Sequence, residues 1–538
     1  MTKGNASASA TRRPTERSGA LTAALEVERK YDVDSLLPVP ELNGVAGTSP
    51  GTAAEYALQA TYYDTADLRL RRAGITLRHR TGGADDGWTL KLPAGADREE
   101  LRVVADSDAV PEELFQLVRA WVRGQQLAPV GRLSTRRTVQ QLLDADGRAL
   151  AEFLDDTVTG EALPAGSILR WREWEVELLD GERALLDELE QRLTAAGAVP
   201  SSSASKLARV LPGPDADVSA GGAEPGGADT AAGDQRSELR GQGGVTAGGV
   251  VQAHLAEQVA ELVRRDPQVR RELPDAVHKM RVATRRLRSA LATFRPLLDR
   301  ERTDALRSEL RWLAGVLGGV RDAEVMHTRL QQMVAAEPPD LVMGKVQTRV
   351  HIEMTARYRA AHEWLTAELN GERYLRLLDD LDSLVAAPPF TEQAGEDAAP
   401  VLAKLLRRTW RRLDAAMVAA EQAPPGPRQD ELLHGVRKDA KRMRYAVEAV
   451  EPVFGRPTRN FAQQLTGLQE SLGDFNDGVV TRAVLREFGA RGHLAGENGF
   501  TFGRLHALEQ ARAEAAVARW PQARRELSRR KLRKWFDS

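Results

Sequence analysis

The chain has 538 residues, 42% hydrophobic and 28% charged, with a net charge of −1. That is too long for one core and implies about two to four domains of ordinary globular composition. There is no cysteine, which excludes a disulfide framework, a thiolate metal site and a cysteine nucleophile.

The first residues are polar, rich in Ser, Thr and Arg, and lack the apolar stretch of a signal peptide. We expect a disordered arm over 1–23. No apolar run of about 18 residues follows, so no spanning helix is expected, and the protein is expected to be cytoplasmic. The aromatic content of 5% offers no evident stacking platform, which argues against a nucleic-acid partner.

Leu25-Glu26-Val27-Glu28-Arg29-Lys30 is the most informative stretch. On a strand successive side chains point to opposite faces, so Glu26, Glu28 and Lys30 share one. At ~3.3 Å per residue they cover about 13 Å, room for a divalent cation at one end and a phosphate chain at the other. The plainer alternative is a solvated face with a cross-strand ion pair.

Further strands are predicted at Leu25–Val33, Tyr56–Asp64, Gly74–Arg80, Gly87–Leu92, Arg98–Val104, Arg136–Leu143, Ala149–Leu154 and Arg170–Leu179. Thr81-Gly82-Gly83, Pro93-Ala94-Gly95 and Asp144-Ala145-Asp146-Gly147 read as turns, and Pro111–Arg123 and Glu182–Ala196 as helices. About eight antiparallel strands tend to close into a barrel, which removes their edges. The expected first domain is therefore an α+β barrel or tunnel over 24–212. Residues 213–243 are Gly- and Ala-rich and read as a flexible linker. From 244 to 538 the period is helical, punctuated at Asp266-Pro267, Pro338-Pro339, Pro388-Pro389 and Pro424-Pro425-Gly426, and an all-α bundle is expected.

The helical half repeats itself. His278-Lys279-Met280-Arg281-Val282-Ala283-Thr284-Arg285-Arg286-Leu287-Arg288 matches His434 to Arg444, with cations at +3, +7, +8 and +10 from each His. Leu317-Gly318-Gly319-Val320-Arg321-Asp322 answers Leu472-Gly473-Asp474-Phe475-Asn476-Asp477. At ~100° per residue, offsets 0, +3, +7 and +10 fall within about 80°. His278, Arg281, Arg285 and Arg288 form one stripe, and His434, Arg437, Lys441 and Arg444 another, flanked by Arg286, Lys438 and Arg442. Met280, Leu287, Leu291 and Phe294, and Met443, Val447 and Val450, lie opposite as the core face. Cations stacked without interleaved Glu repel one another, and a flexible polyanion is the simplest ligand.

These motifs resemble two families. The first half resembles CYTH domains, the triphosphate tunnel metalloenzymes; the second resembles CHAD domains, the conserved-histidine α-helical domains often joined to them. Glu26, Glu28 and Lys30 fill the Glu-x-Glu-x-Lys strand, and Tyr62-Tyr63-Asp64-Thr65 resembles the second-strand signature. Leu77-Arg78-His79-Arg80, Trp88-Thr89-Leu90-Lys91, Arg137, Glu152, Trp174-Glu175-Val176-Glu177 and Ser205-Lys206 follow in order. The resemblance implies substrate-binding cations at Lys30, Arg78, Arg80, Lys91, Arg137 and Lys206, and catalytic roles for Glu26, Glu28 and Lys30. It implies Mg²⁺ or Mn²⁺ held by Glu26, Glu28, Asp156, Glu175 and Glu177. For the aspartate after the Glu152 strand the chain offers Asp155 and Asp156; alternation from Glu152 favours Asp156 unless a tight turn intervenes. Arg132 and Arg136 compete with Arg137, and Glu100 and Arg102 are within reach of the tunnel.

The function so implied is a metal-dependent inorganic triphosphatase acting on tripolyphosphate. Its helical domain would bind inorganic polyphosphate through His278, Arg281, Arg285, Arg286, Arg288, His434, Arg437, Lys438, Lys441, Arg442 and Arg444, with association to polyphosphate granules. The alternatives are an organic triphosphatase acting on thiamine triphosphate or a nucleotide, an adenylate cyclase-like enzyme, and a non-catalytic polyphosphate-binding protein.

Overall fold

The computed structural model describes residues 21–211, apart from 84, 85, 96, 106, 108, 165 and 204, and residues 245–537. Most of the expected arm and all of the expected linker, 213–243, lie outside the described residues. The chain divides into two compact units, Met1–Pro225 and Gly226–Ser538.

Among the described residues the first unit is one antiparallel sheet flanked by short helices. Its strands are β1 (Thr22–Glu26), β2 (Glu28–Val33), β3 (Ser49–Pro50), β4 (Ala54–Asp64), β5 (Thr76–Thr81), β6 (Gly87–Ala94), β7 (Asp97–Val103), β8 (Ala128–Leu143), β9 (Ala149–Ala162), β10 (Ile168–Leu178) and β11 (Val199–Pro200). Their order is β1-β7-β6-β5-β4-β8-β9-β10-β2-β11, with β3 on β8. The expected strand Leu25–Val33 is divided at Val27, because its first half pairs with β7 and its second with β10. One run of chain thus serves both ends of the order and draws the sheet round on itself.

Alternation sorts the side chains. Leu77, Leu90 and Leu101 point outward, where α2 (Glu112–Val122) covers them with Leu114, Leu117, Val118 and Val122. Trp174 and Val176 point outward under Leu185, Leu186, Leu189 and Leu193 of α3 (Arg183–Ala195). Truncating one of these buried leucines to Ala would cost about 2–5 kcal/mol. The apolar surface is therefore outside, beneath helices, and the alternate positions turn charged side chains inward. Two short helices complete the unit, α1 (Arg69–Arg72) and α4 (Lys206–Val210).

Two strands outrun their expected limits. β8 begins at Ala128 rather than Arg136, and β9 runs to Ala162 rather than stopping at Leu154. Asp155 and Asp156 have the composition of a turn, but each is matched by an arginine across the sheet, Arg172 and Arg137. Pairing of charge lets the ladder continue through them.

The second unit is all helical: α5 (Ala247–Arg270), α6 (Ala276–Thr293), α7 (Arg300–Ala335), α8 (Val346–Asn370), α9 (Glu372–Ala386), α10 (Ala398–Gln422), α11 (Pro427–Ala449), α12 (Glu451–Phe454), α13 (Arg456–Leu494), α14 (Phe500–Leu527) and α15 (Lys534–Asp537). The duplication is visible in the packing: α5–α6–α7–α8 is answered by α10–α11–α13–α14, each neighbouring in turn. The two copies meet where α6 packs on α11, and where Leu330 and Met333 of α7 and Val350 of α8 pack with Phe488 of α13 and Phe502 of α14. Asp266-Pro267 does not interrupt α5 as expected. Pro267 stands within its last turn, where few following N–H groups depend on the ladder, and the helix continues to Arg270. No helix among the described residues is long and apolar enough to cross a membrane.

Candidate active site and anion-binding groove

The inward face of the sheet lines a partly open cavity. Its lining includes eight cations, Lys30, Arg78, Arg80, Lys91, Arg98, Arg102, Arg137 and Lys206, against five carboxylates, Glu26, Glu28, Glu100, Glu175 and Glu177. The excess is positive, so an anionic guest is favoured. No aromatic side chain stands among these lining residues; Leu58, Ala60 and Leu133 are its apolar members.

The charges are laid down by register. Lys30 faces Glu175, Arg137 faces Asp156, and Lys91 faces Glu100 across adjacent strands. Lys30 Nζ donates to Glu28 at 2.7 Å and also to Glu175. Arg137 grips Asp156 with two nitrogens, at 2.8 and 2.5 Å, and reaches Glu175 at 2.8 Å. Lys91 bonds Glu26 at 2.6 Å and lies 3.1 Å from Glu100. Burial opposes ionisation of Glu175, but Lys206, Lys30 and Arg137 outweigh it and hold this carboxylate well below its usual range. Burial likewise opposes the charge on Glu100, and Lys91, Arg78 and Arg102 bring it down to about 2. Enclosed charges are tolerated here because each has an opposite neighbour.

Glu177 is the exception. It stands directly across from Glu28, and like charges in that position repel. It makes no ion pair or hydrogen bond among the described residues. Burial first, then Glu26, Glu28 and Glu100, push it up to about 7 against the pull of Lys91. Glu26, Glu28 and Glu177 offer hard oxygen ligands of the kind Mg²⁺ or Mn²⁺ takes, and a divalent cation held by them would offset that repulsion, although their ligand atoms do not all lie within 4.8 Å of one another. A second acidic group, Asp156, Glu173 and Glu175, has ligand atoms within 4.8 Å of one another, close enough to hold a metal ion. The Lys206 ammonium lies 3.0, 2.6 and 2.8 Å from these three carboxylates, so a cation of the chain itself already balances that cluster.

All the expected substrate-binding cations lie in the cavity wall, as do Glu26, Glu28, Glu175 and Glu177. Asp156 does not: it is fully buried behind Arg137 and Lys206 and holds both. Asp155 pairs with Arg172 on the other face of the sheet. Arg132 and Arg136 are exposed, while Glu100 and Arg102 line the cavity. Glu152 bonds Gln141 at 3.1 Å and is not part of the wall. Tyr62 lies 3.5 Å from the Arg78 guanidinium, and Asp64 accepts the N–H groups of Thr65, Leu70 and Arg71, which fixes the turn into α1. Glu173 was missed by the sequence reading, although its position two residues before Glu175 was the available signal.

In the helical unit the two stripes lie on neighbouring helices, α6 and α11, with their apolar faces buried as expected. Each downstream motif supports its own stripe. Asp322 lies 3.1 Å from Arg281, and Asp477 4.0 Å from Arg437. A Cβ on Gly318 would stand 3.7 Å from the Arg281 guanidinium, and one on Gly473 3.2 Å from that of Arg437. The repeated Leu-Gly thus marks where an arginine crosses a helix. Burial, then Arg437, Arg285 and Arg281, lower Lys441 to about 8 despite Asp477, so cations of the two copies act on one another where α6 packs on α11. His434 Nδ1 lies 2.6 Å from Asn476 Oδ1. His278 instead meets Arg321 at the matching position, and burial and that cation lower it. Arg286 departs from expectation: at +8 it lies off the stripe and bonds Glu448 at 3.0 Å, tying the copies together. Lys438 is exposed, and Arg442 lies 3.5 Å from Asp439.

Residues 24–211 match the CYTH domain, and residues 253–486 match the CHAD domain. The uncharacterized protein Rv2226 of Mycobacterium tuberculosis is 40% identical over 524 residues, which cover 94% of this chain and 96% of that protein. Among solved structures, PptA from Streptomyces chartreusis is similar over 52% of this chain and 99% of its own, at 24% identity and a TM-score of 0.45. The CHAD domain from Ricinus communis is similar over 55% and 92%, at 23% identity and a TM-score of 0.39. With motifs, fold and near full-length similarity in agreement, this chain belongs to the family of proteins in which a CYTH domain is followed by a CHAD domain.

Proposed function

We propose that the barrel is a metal-dependent inorganic triphosphatase that hydrolyses tripolyphosphate, and that the helical unit binds longer inorganic polyphosphate. The observation that carries the first part is the cavity wall: an excess of cations, Glu177 directly across from Glu28 without an ion-pair partner among the described residues, and no aromatic side chain among the lining residues to stack on a base. That last feature favours an inorganic chain over a nucleotide or thiamine triphosphate.

Arg78, Arg80 and Arg137 offer planar forks that match phosphate oxygens, and Lys91 and Lys206 add point charges from two sides. Lys30 is held between Glu28 and Glu175 and keeps Glu28 ionised and aimed. Glu26, Glu28 and Glu177 would hold Mg²⁺ or Mn²⁺, which when bound supplies charge neutralisation at the phosphoryl group and a more acidic water. Phosphoryl transfer asks for positioning and charge stabilisation rather than a covalent group of the enzyme, and the wall provides no Ser–His or Cys–His pair.

The test is phosphate release by purified protein from tripolyphosphate, ATP, thiamine triphosphate and long polyphosphate, with Mg²⁺ or with chelator. Metal-dependent release greatest from tripolyphosphate supports the reading. Preferred turnover of ATP or thiamine triphosphate would replace it with an organic triphosphatase, and no turnover of any would leave a binding protein.

A further inference from the structure

Glu173 is a buried carboxylate that none of the substrate or metal roles uses. It is 3% exposed. One of its oxygens lies 2.6 Å from the Lys206 ammonium, and the other accepts the Trp171 Nε1–H at 2.5 Å. The other two carboxylates around Lys206 are shared: Asp156 also binds Arg137, and Glu175 binds both Arg137 and Lys30. Lys206 is the one ion-pair partner of Glu173 among the described residues. Trp171 is in turn held by packing on the cluster that contains Leu207 and Val210, on the same short helix as Lys206. The Arg209 guanidinium lies over its ring at 5.6 Å.

A lysine is a point charge on a flexible stem. On α4 its ammonium is held by ion pairs to Asp156, Glu173 and Glu175. We propose that Glu173, oriented by Trp171, is a positioning residue that sets the Lys206 ammonium at the cavity wall for contact with the phosphate chain. The inference rests on the tunnel reading above for the identity of that chain, but the placement of Lys206 is independent of it. The arrangement is a relay of fixed geometry, from ring to carboxylate to ammonium to cavity. It explains why a third carboxylate is buried beside two that already balance the local cations.

The substitution Glu173→Gln tests it. The amide is isosteric, yet both of its neighbours are donors. Its single oxygen can accept from Trp171 or from Lys206, and its NH₂ must face the other. In the full chain, acylation of Lys206 by an amine-selective reagent, read by mass spectrometry, should accelerate by about fivefold or more in Glu173→Gln, because the ammonium is no longer caged. The Michaelis constant for tripolyphosphate should rise about tenfold with turnover changed by less than about threefold, and in a Lys206→Ala background the same substitution should have almost no effect. Unchanged acylation of Lys206, or an equal effect on the Michaelis constant when Lys206 is absent, would overturn the proposal. If Glu173→Gln does not fold, Trp171→Phe keeps the carboxylate and removes the donor that orients it. A smaller acceleration of acylation at Lys206 then supports the relay, and none overturns it. Accelerated acylation in Glu173→Gln, in a protein whose wild type does not turn over tripolyphosphate, would uphold the positioning and refute the triphosphatase reading.

Discussion

In the barrel, Lys30 touches two carboxylates and Lys206 three, and both are held above the ordinary lysine range although burial opposes their charge. In the helical unit, Lys441 meets Arg437, Arg285 and Arg281, and burial with these cations brings it down to about 8. The same side chain is thus stabilised as a cation in one place and strained as a cation in the other. Barrel cations are balanced before a guest arrives, so their geometry is set and selectivity can be high. The helical cations are only partly balanced, Arg281 by Asp322 and Arg437 by Asp477, and a polyanion would relieve the repulsion that remains around Lys441. A long polyanion held by mutually repelling cations would gain affinity with length and lose it with salt.

The harshest way to break the comparison is to disturb the acidic end of the barrel. Glu28→Gln should lower phosphate release from tripolyphosphate by at least about a hundredfold, or ~2.7 kcal/mol, while polyphosphate binding by the helical unit is unchanged. Activity within about twofold of wild type, at equal thermal stability, would remove Glu28 from the metal site.

Next come the forks. Arg78→Ala or Arg80→Ala should lower kcat/KM by about tenfold or more, on the order of 1.4 kcal/mol. Arg→Lys should also lose activity, since a point charge does not reproduce two parallel hydrogen bonds. Full activity in both lysine variants would place these residues outside substrate binding.

A third test addresses the shared groove. Changing Arg281, Arg285 and Arg288 together to Ala should weaken long polyphosphate by roughly tenfold or more and tripolyphosphate far less, since a long chain gains from reaching both stripes. The matching change at Arg437, Lys441 and Arg444 should do the same, and affinity should fall linearly on a log–log plot against salt. Equal losses for short and long chains would make the stripes separate sites.

The smallest effect sharpens the contrast in pH. Lys441 is charged below about 8 and neutral above it, so polyphosphate affinity should fall by about twofold to fivefold as pH rises from 7 to 9.5. Lys441→Arg should flatten the profile. In the free protein the sign for stability is opposite. Between about 8 and the ordinary 10.5 of a lysine the unfolded chain holds the extra proton, so folding gains as pH rises through that window. A profile that is flat in wild type would show that Lys441 does not face the anion.

Glu26-x-Glu28-x-Lys30, the paired Arg78 and Arg80, and the repeated His stripes were legible because each is a local pattern at the period of its own element. Their inward or outward sense could be read from alternation alone. The break at Val27 was not legible, since it arises from a change of pairing partner from β7 to β10 and not from the residues of the strand. Nor was the length of β9, because Asp155 and Asp156 look like a turn until Arg172 and Arg137 are brought opposite them.

By itself, then, the amino-acid order determined the two-part architecture, the duplication and the residue types that face the barrel interior and the basic stripes. Those follow from periodicity, which is a property of neighbours in the chain. Only the tertiary structure decided how the charges are matched: that Asp156 stands behind Arg137, that Glu173 pairs with Lys206, that Arg286 turns to Glu448, and that Glu177 faces Glu28. Electrostatic pairing acts over a few ångströms in space between residues far apart in the chain, such as Arg286 and Glu448, and strand register and helix packing are what bring them together.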